Sequence, residues 1–181
     1  MFKAKVVVVG SPESGKSVLS NFLGDQTDIS QSRYHPTVGV RVLEFETPVD
    51  NGRTFTNMDI ELWDCSGNEN YEGCWPAMAY KADGVVIACD AYKSSDLQAV
   101  ENLYSYFVAN RGLKPTQCLI YASCKNKEAK TLKSPVASVP IMIGSTDKNS
   151  EDLRDAFKKF LQRIYGKLAD SRDKEELQMM S

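Results

Sequence analysis

The sequence predicts an α/β domain on a mostly parallel sheet, with one antiparallel hairpin inserted. Three observations predict it. Short continuous apolar runs rich in β-branched residues, at residues 6–9 and 84–89, have the composition of strands buried on both faces. Segments with apolar residues at helical spacing alternate with them. Two strands of alternating pattern flank Asn51-Gly52, a hairpin turn signal. The length of 181 residues suits one domain. With 42% hydrophobic and 25% charged residues, the chain has ordinary globular composition.

Residues 6–9 (Val-Val-Val-Val) are the first strand, stopped by Gly10. Residues 17–24 read as a helix ending on Gly24. Residues 26–36 are polar and irregular, a long loop. Residues 40–46 and 58–63 are half-buried strands; in the second, Met58, Ile60 and Leu62 alternate with Asp59 and Glu61. Residues 84–89 are a buried strand. Residues 96–108 are helical, with apolar positions 97, 100, 103, 104 and 107. Residues 118–122 and 139–143 are the last two strands. Residues 151–168 form a strongly amphipathic helix, apolar at 153, 156, 157, 160, 161, 164, 165 and 168. The domain is therefore expected to span 1–168, followed by a charged tail, 169–181, that frays. A parallel crossover needs a dozen or more residues, usually helical. Residues 123–138, rich in Lys and holding Pro135, leave the fourth crossover helix shortened or missing.

Composition excludes several functions. The net charge is −2, from 24 acidic and 22 basic side chains, so no electrostatic footprint for nucleic acid is expected. The five cysteines form no C-x-x-C pair, and with a single His no zinc-finger spacing exists. They read as reduced thiols of a cytosolic-type compartment. No apolar run approaches 18 residues, and neither terminus carries a lipidation signal, so no direct membrane anchor is expected.

The chemistry starts at Gly10-Ser11-Pro12-Glu13-Ser14-Gly15-Lys16-Ser17, which is G-x-x-x-x-G-K-S. Such a loop turns its backbone N–H groups inward as an anion nest and opens a helix whose positive end faces the anion. Gly10 and Gly15 let the backbone approach phosphate. Glu13, Ser14 and Val18 line the same loop. Lys16 reaches the β and γ phosphates, and Ser17 offers a hydroxyl to Mg²⁺. Asp64, just after a strand, is placed to hold that cation through water. The N–H of Gly67 can meet a γ-phosphate. Thr37, in Pro36-Thr37-Val38-Gly39, can close its hydroxyl over both. These residues predict nucleoside triphosphate binding with Mg²⁺. A P-loop kinase or ATPase acting on a small substrate, and a nucleotide-free scaffold, remain alternatives.

In order and spacing, Gly10 to Ser17, Thr37 and Asp64-Cys65-Ser66-Gly67 resemble a Ras-like small GTPase. More narrowly, Phe2-Lys3-Ala4-Lys5, Glu13-Ser14-Gly15-Lys16, Gly39-Val40-Arg41-Val42-Leu43-Glu44-Phe45-Glu46, Glu61-Leu62-Trp63-Asp64-Cys65, Cys74-Trp75-Pro76-Ala77 and Ser171-Arg172-Asp173-Lys174-Glu175-Glu176 resemble the Rab-like 5 family, also called the intraflagellar transport protein 22 family. That resemblance covers nearly the whole chain. It implies a P-loop NTPase fold of the small-GTPase kind and GTP or GDP with Mg²⁺ as cofactors. It also implies partnership with coiled-coil subunits of intraflagellar transport complex B. The location it implies is the cytoplasm and the cilium or flagellum, at basal body and axoneme.

Departures from the GTPase pattern shape the expected activity. Where small GTPases have Gly-Gln, this chain has Gly67-Asn68. The Gln orients the attacking water. Asn68 is one methylene shorter, and a misplacement of about 1 Å can cost on the order of 10²-fold in rate. Pro12 and Glu13 also work against in-line attack, so hydrolysis is expected to be very slow or absent. Arg33, in the long loop, reads better as a surface residue than as an internal arginine finger, and His35 as a loop residue. The base-reading Asn-Lys-x-Asp is missing. In its place stands Ser123-Cys124-Lys125-Asn126, where Lys125 can lie along the purine and Asn126 is a weaker acceptor than a carboxylate. Ser145 and Thr146 can offer a backbone N–H to the base. These residues alone leave adenine open; guanine is implied by the resemblance. Phe45, Trp63, Trp75 and Tyr80 bracket the nucleotide-sensing loops and are candidates for the partner surface.

Overall fold

The Val-rich first strand lies at the middle of the molecule because both of its faces are covered. The computed structural model describes residues 2–25, 37–50, 52, 54–125, 127, 128 and 131–179. Strand β1 (Phe2–Gly10) leads into helix α1 (Lys16–Leu23). Strands β2 (Val40–Asp50) and β3 (Phe55–Cys65) follow, then a 3₁₀ segment Glu69–Cys74 and the short helix α2 (Trp75–Ala79). Next come β4 (Gly84–Asp90), α3 (Ser94–Phe107), β5 (Cys118–Ser123), β6 (Ile141–Gly144) and α4 (Ser150–Met179). The sheet order is β2-β3-β1-β4-β5-β6. Every neighbouring pair is parallel except β2 and β3, which form the expected antiparallel hairpin, with Val40 opposite Cys65 and Asp50 opposite Phe55.

Period-two alternation sorts the strand residues onto two cores. Ala4, Val6 and Val8 of β1 face one side, where Leu19 and Leu23 of α1 and Leu153, Phe157, Phe160, Leu161 and Ile164 of α4 cover them. Val7 and Val9 face the other side, against Val100 and Phe107 of α3 and Met78 of α2.

Three places bear on the sequence reading, the first in agreement with it and the other two as departures. The interval between β5 and β6 holds no helix among its described residues, as the chain length there predicted. Extended chain does the covering instead: Leu132, Val136 and Val139 pack on the second core, and the Ile120 amide donates to the Pro140 carbonyl at 2.9 Å. The segment at 69–79 escaped the sequence reading because its two pieces are too short for a periodic pattern. Third, the final helix does not stop at residue 168 but runs on to Met179. Past that point it has no apolar face. Its residues are mostly strong helix formers, Arg172 pairs with Glu176 at 3.1 Å, and the Arg172 guanidinium lies 5.6 Å over the Phe2 ring. The loop at 26–36, with Arg33 and His35, lies outside the described residues, as do Asn51 and Asn126.

All five cysteines are free thiols, and Cys74 alone is exposed. Burial is the main cause that pushes the thiols of Cys65, Cys89 and Cys118 up to about 12 from 9.0. No described helix is long and apolar enough to cross a membrane.

Two outcomes follow from this packing. Phe160→Ala is expected to cost about 3–5 kcal/mol in urea denaturation, whereas Leu177→Ala, on the bare end of α4, stays within about 0.5 kcal/mol. Thiol titration of the native protein at pH 8 is expected to show one fast-reacting group, abolished by Cys74→Ser. The unfolded chain ionises its thiols before the folded one does, so stability falls as pH rises from 9.0 towards 12.

Candidate functional site

The carboxyl end of β1 is crowded. At Gly10, where φ is 156°, an added Cβ would stand 2.1 Å from the Ala88 carbonyl oxygen of β4. Only glycine lets the chain turn there. The loop then runs through Glu13 in left-handed backbone, φ 59°, to Gly15, φ 91°, which opens α1. Ser14 is fully buried and Lys16 is 6% exposed. The Lys16 ammonium folds back, donating to the Ser11 carbonyl at 2.7 Å and to Ser14 Oγ at 3.4 Å. Burial lowers its pKa, and the Asp64 charge opposes that shift. Gly67 closes the other side: a Cβ there would lie 2.6 Å from Lys16 Nζ and 2.7 Å from the Pro12 nitrogen. The loop after β3 is thereby pressed against the phosphate loop.

Ser17, Thr37 and Asp64, far apart in sequence, meet beside it. Ser17 Oγ and Thr37 Oγ1 are 2.8 Å apart, and Thr37 Oγ1 donates to Asp64 Oδ2 at 3.4 Å. Asp64 is fully buried, and its Oδ1 has no hydrogen-bond partner. Two hydroxyls and an open carboxylate oxygen are hard donors of the kind Mg²⁺ takes, so these residues fit that ion. A further residue reaches the group: Arg41 Nη2 contacts Asp64 Oδ2 at 3.0 Å. The sequence reading missed Arg41. Its signal was the hairpin register, which sets Arg41 directly opposite Asp64.

On the far side of the phosphate loop a cavity of about 390 Å³ opens between Glu13, Gly15 and Val18 and the ends of β5 and β6. Ser123, Lys125, Ser145 and Thr146 line it, as the sequence suggested, together with Tyr121 and Asp147, which the sequence reading did not single out. Lys125, at φ 51°, pairs with Asp90 at 2.8 Å, and that hydrogen bond raises its pKa. A second cavity, about 270 Å³, lies between Pro12, Gly67, Asn68 and α3. Asn68 Oδ1 accepts from the Asn70 amide at 2.9 Å and so caps the 3₁₀ segment.

The four candidate aromatics do not form one cluster. Phe45 packs towards the α1–α4 core. Trp63 packs on the opposite core, with the Lys5 ammonium 3.6 Å from its ring centroid. That ammonium also donates to the Tyr80 carbonyl at 2.9 Å, tying Tyr80, 65% exposed, to Trp63. Trp75 is partly buried against Tyr106 and Phe107, at 5.0 and 5.2 Å.

A G-x-x-x-x-G-K-S loop, two hydroxyls beside a buried carboxylate and a cavity at the strand ends of a mostly parallel sheet are the arrangement of a Ras-like P-loop domain. The family profile described as Ras of Complex, Roc, domain of DAPkinase matches residues 5–128. Among individual proteins, the intraflagellar transport protein 22 homolog of Bos taurus is 40% identical over 187 residues, covering 100% of both chains. The Homo sapiens homolog matches equally, 40% identical with 100% of both chains covered. The chain belongs to the intraflagellar transport protein 22 family, within the Ras-like Roc class. A crystal structure of GTP-bound IFT22 from T. brucei shares the fold, with TM-score 0.66 and 23% identity over 90% of this chain and 95% of that one.

Arg41→Ala is expected to strip the cation from a buried carboxylate and lower stability by about 3 kcal/mol in urea without nucleotide. Arg41→Lys should lose less.

Proposed function

We propose that this chain is an atypical small GTP-binding protein of intraflagellar transport, a subunit of complex B. In this reading its nucleotide-ordered loops dock a coiled-coil partner, and it hydrolyses GTP very slowly or not at all. The observation that carries the reading is the meeting of Lys16, Ser17, Thr37, Asp64 and Gly67 at one strand end. Family membership supports the transport context and the location at the cilium or flagellum. The curated relatives are named as intraflagellar transport protein 22 homologs, and the neighbour in T. brucei is described as GTP-bound.

The residues divide the work as follows. The inward N–H groups of residues 11–15 and the start of α1 hold phosphate oxygens. Lys16 exchanges its Ser11 and Ser14 acceptors for phosphate, a gain for a buried ammonium now satisfied by neutral groups alone. Ser17, Thr37 and Asp64 hold the cation, and Mg²⁺ when bound neutralises phosphate charge. Thr37 thereby fixes the start of β2, and Gly67 the start of the 3₁₀ segment. Those two attachments couple the nucleotide to the loop ends beside Trp63 and Tyr80, an order–disorder switch. The exposed side chains there, Tyr80 and Val42, form the partner surface with the half-buried Trp63, and Trp75 packs on the same core as Trp63. Phe45, on the other sheet face, stands apart from that surface.

Slow hydrolysis rests on Asn68. Its carbonyl is engaged in capping and its side chain is shorter than that of Gln, so Asn68 is not held ready to align water.

Three measurements test this reading. Heat-released nucleotide from purified protein is expected to be GTP or GDP, and Lys16→Ala or Ser17→Asn should lose it. Single-turnover hydrolysis should run on the order of 10²-fold or more below a Rab protein with Gln, and Asn68→Ala should leave the rate where it is. Rapid hydrolysis abolished by Asn68→Ala would overturn the slow-turnover claim. Co-sedimentation with coiled-coil complex B subunits should weaken on Tyr80→Ala and on removal of nucleotide.

A further inference from the structure

We infer that Asp147, on the turn after β6, is the carboxylate that reads the Watson–Crick edge of the bound purine and selects guanine; this rests on the nucleotide-binding reading above. A guanine ring presents two donors on that edge, N1–H and the N2 amine. Binding it selectively needs an acceptor, best an ionised one, within the base-side cavity. The strand-end sequence Ser123-Cys124-Lys125-Asn126 supplies no carboxylate. Only two carboxylates line the cavity among the described residues, Glu13 and Asp147. Glu13 sits in the phosphate loop, in left-handed backbone, where its neighbours in the chain serve the phosphate side. Asp147 stands beyond the end of β6, next to Ser145 and Thr146.

The turn that carries Asp147 is built to hold still. The Gly144 carbonyl accepts from the Cys124 amide at 3.0 Å, which fixes it to the end of β5. The Ser145 amide donates to Asn149 Oδ1 at 3.2 Å, and the Lys148 amide to Ser145 Oγ at 3.3 Å. The Asn149 amide donates back to the Ser145 carbonyl at 2.9 Å and leads into α4. No hydrogen bond or ion pair to a described residue occupies the Asp147 carboxylate. The neighbouring cation is already spent, since Lys125 pairs with Asp90. An acceptor held on a braced turn, unpaired and facing a base-sized cavity, is preorganised for a donor pair. Adenine offers an acceptor at N1 in place of a donor, so Asp147 repels it.

The chemistry gives a test by exchange of donor and acceptor. Xanthine carries a carbonyl where guanine has its amine, so an amide side chain at 147 can donate to it. Calorimetric titration of the nucleotide-stripped full chain with GTP, XTP and ATP is the experiment, on wild type, Asp147→Asn and Asn126→Ala. Wild type is expected to prefer GTP. Asp147→Asn is expected to lose GTP affinity by about 10–10²-fold, the loss of one or two charge-assisted hydrogen bonds, and to gain affinity for XTP. Equal melting temperatures of the stripped variant and wild type exclude a folding defect, because Asp147 is exposed. An unchanged GTP-to-XTP ratio in Asp147→Asn overturns the assignment and leaves the nucleotide reading standing. A shift seen in Asn126→Ala alone moves the role to that residue. Wild type that takes up none of the three nucleotides overturns both.

Discussion

Two opposite charges buried at neighbouring strand ends govern this molecule. Lys16 is 6% exposed and Asp64 is fully buried. Neither position is tolerable in an apolar core without partners, because removing a charge from water costs several kcal/mol. Each is met by a different device. The ammonium is held by the carbonyl and hydroxyl of its own loop. The carboxylate is met by Arg41 from across the hairpin and, more distantly, by the Thr37 hydroxyl. The geometry of β1, β2 and β3 near their ends follows from these needs. So does the close approach of Gly67 to the phosphate loop, where no side chain fits.

Arg41 supplies the positive charge that Asp64 meets within the protein itself. Its guanidinium already neutralises Asp64 through one oxygen, while the other oxygen stays open. The same register that pairs Arg41 with Asp64 sets Val42 opposite Trp63, so the charge site and the exposed patch share one hairpin. A shift of that hairpin would alter both together.

The two faces of the sheet are specialised. One carries α1 and α4 and an unbroken aliphatic and aromatic core. The other carries α3, α2 and, from the crossover, Leu132, Val136 and Val139, and there Trp75 stacks against Tyr106 and Phe107. Val40, at the start of β2, and Trp75, just after the 3₁₀ segment, pack on this second face.

Most of the fold was legible in the sequence because it rests on local patterns. The buried strands announce themselves by apolar runs, α4 by its spacing, and the hairpin by alternation around a turn. The phosphate loop was equally plain, since its chemistry is carried by contiguous residues, Gly10 to Ser17. That the fourth crossover has no helix among its described residues could be read from chain length. The end of α4 could not, because its last turns depend on helix propensity and on an Arg172–Phe2 contact between opposite ends of the chain. Arg41 on Asp64, the separation of Phe45 from Trp63 and the placing of Asp147 in one cavity with Glu13 and Lys125 were decided by tertiary structure. Each depends on which strand lies beside which, and at what register. Spacing along one chain fixes the partners of a helix turn; the partners of a sheet are fixed only when distant segments meet.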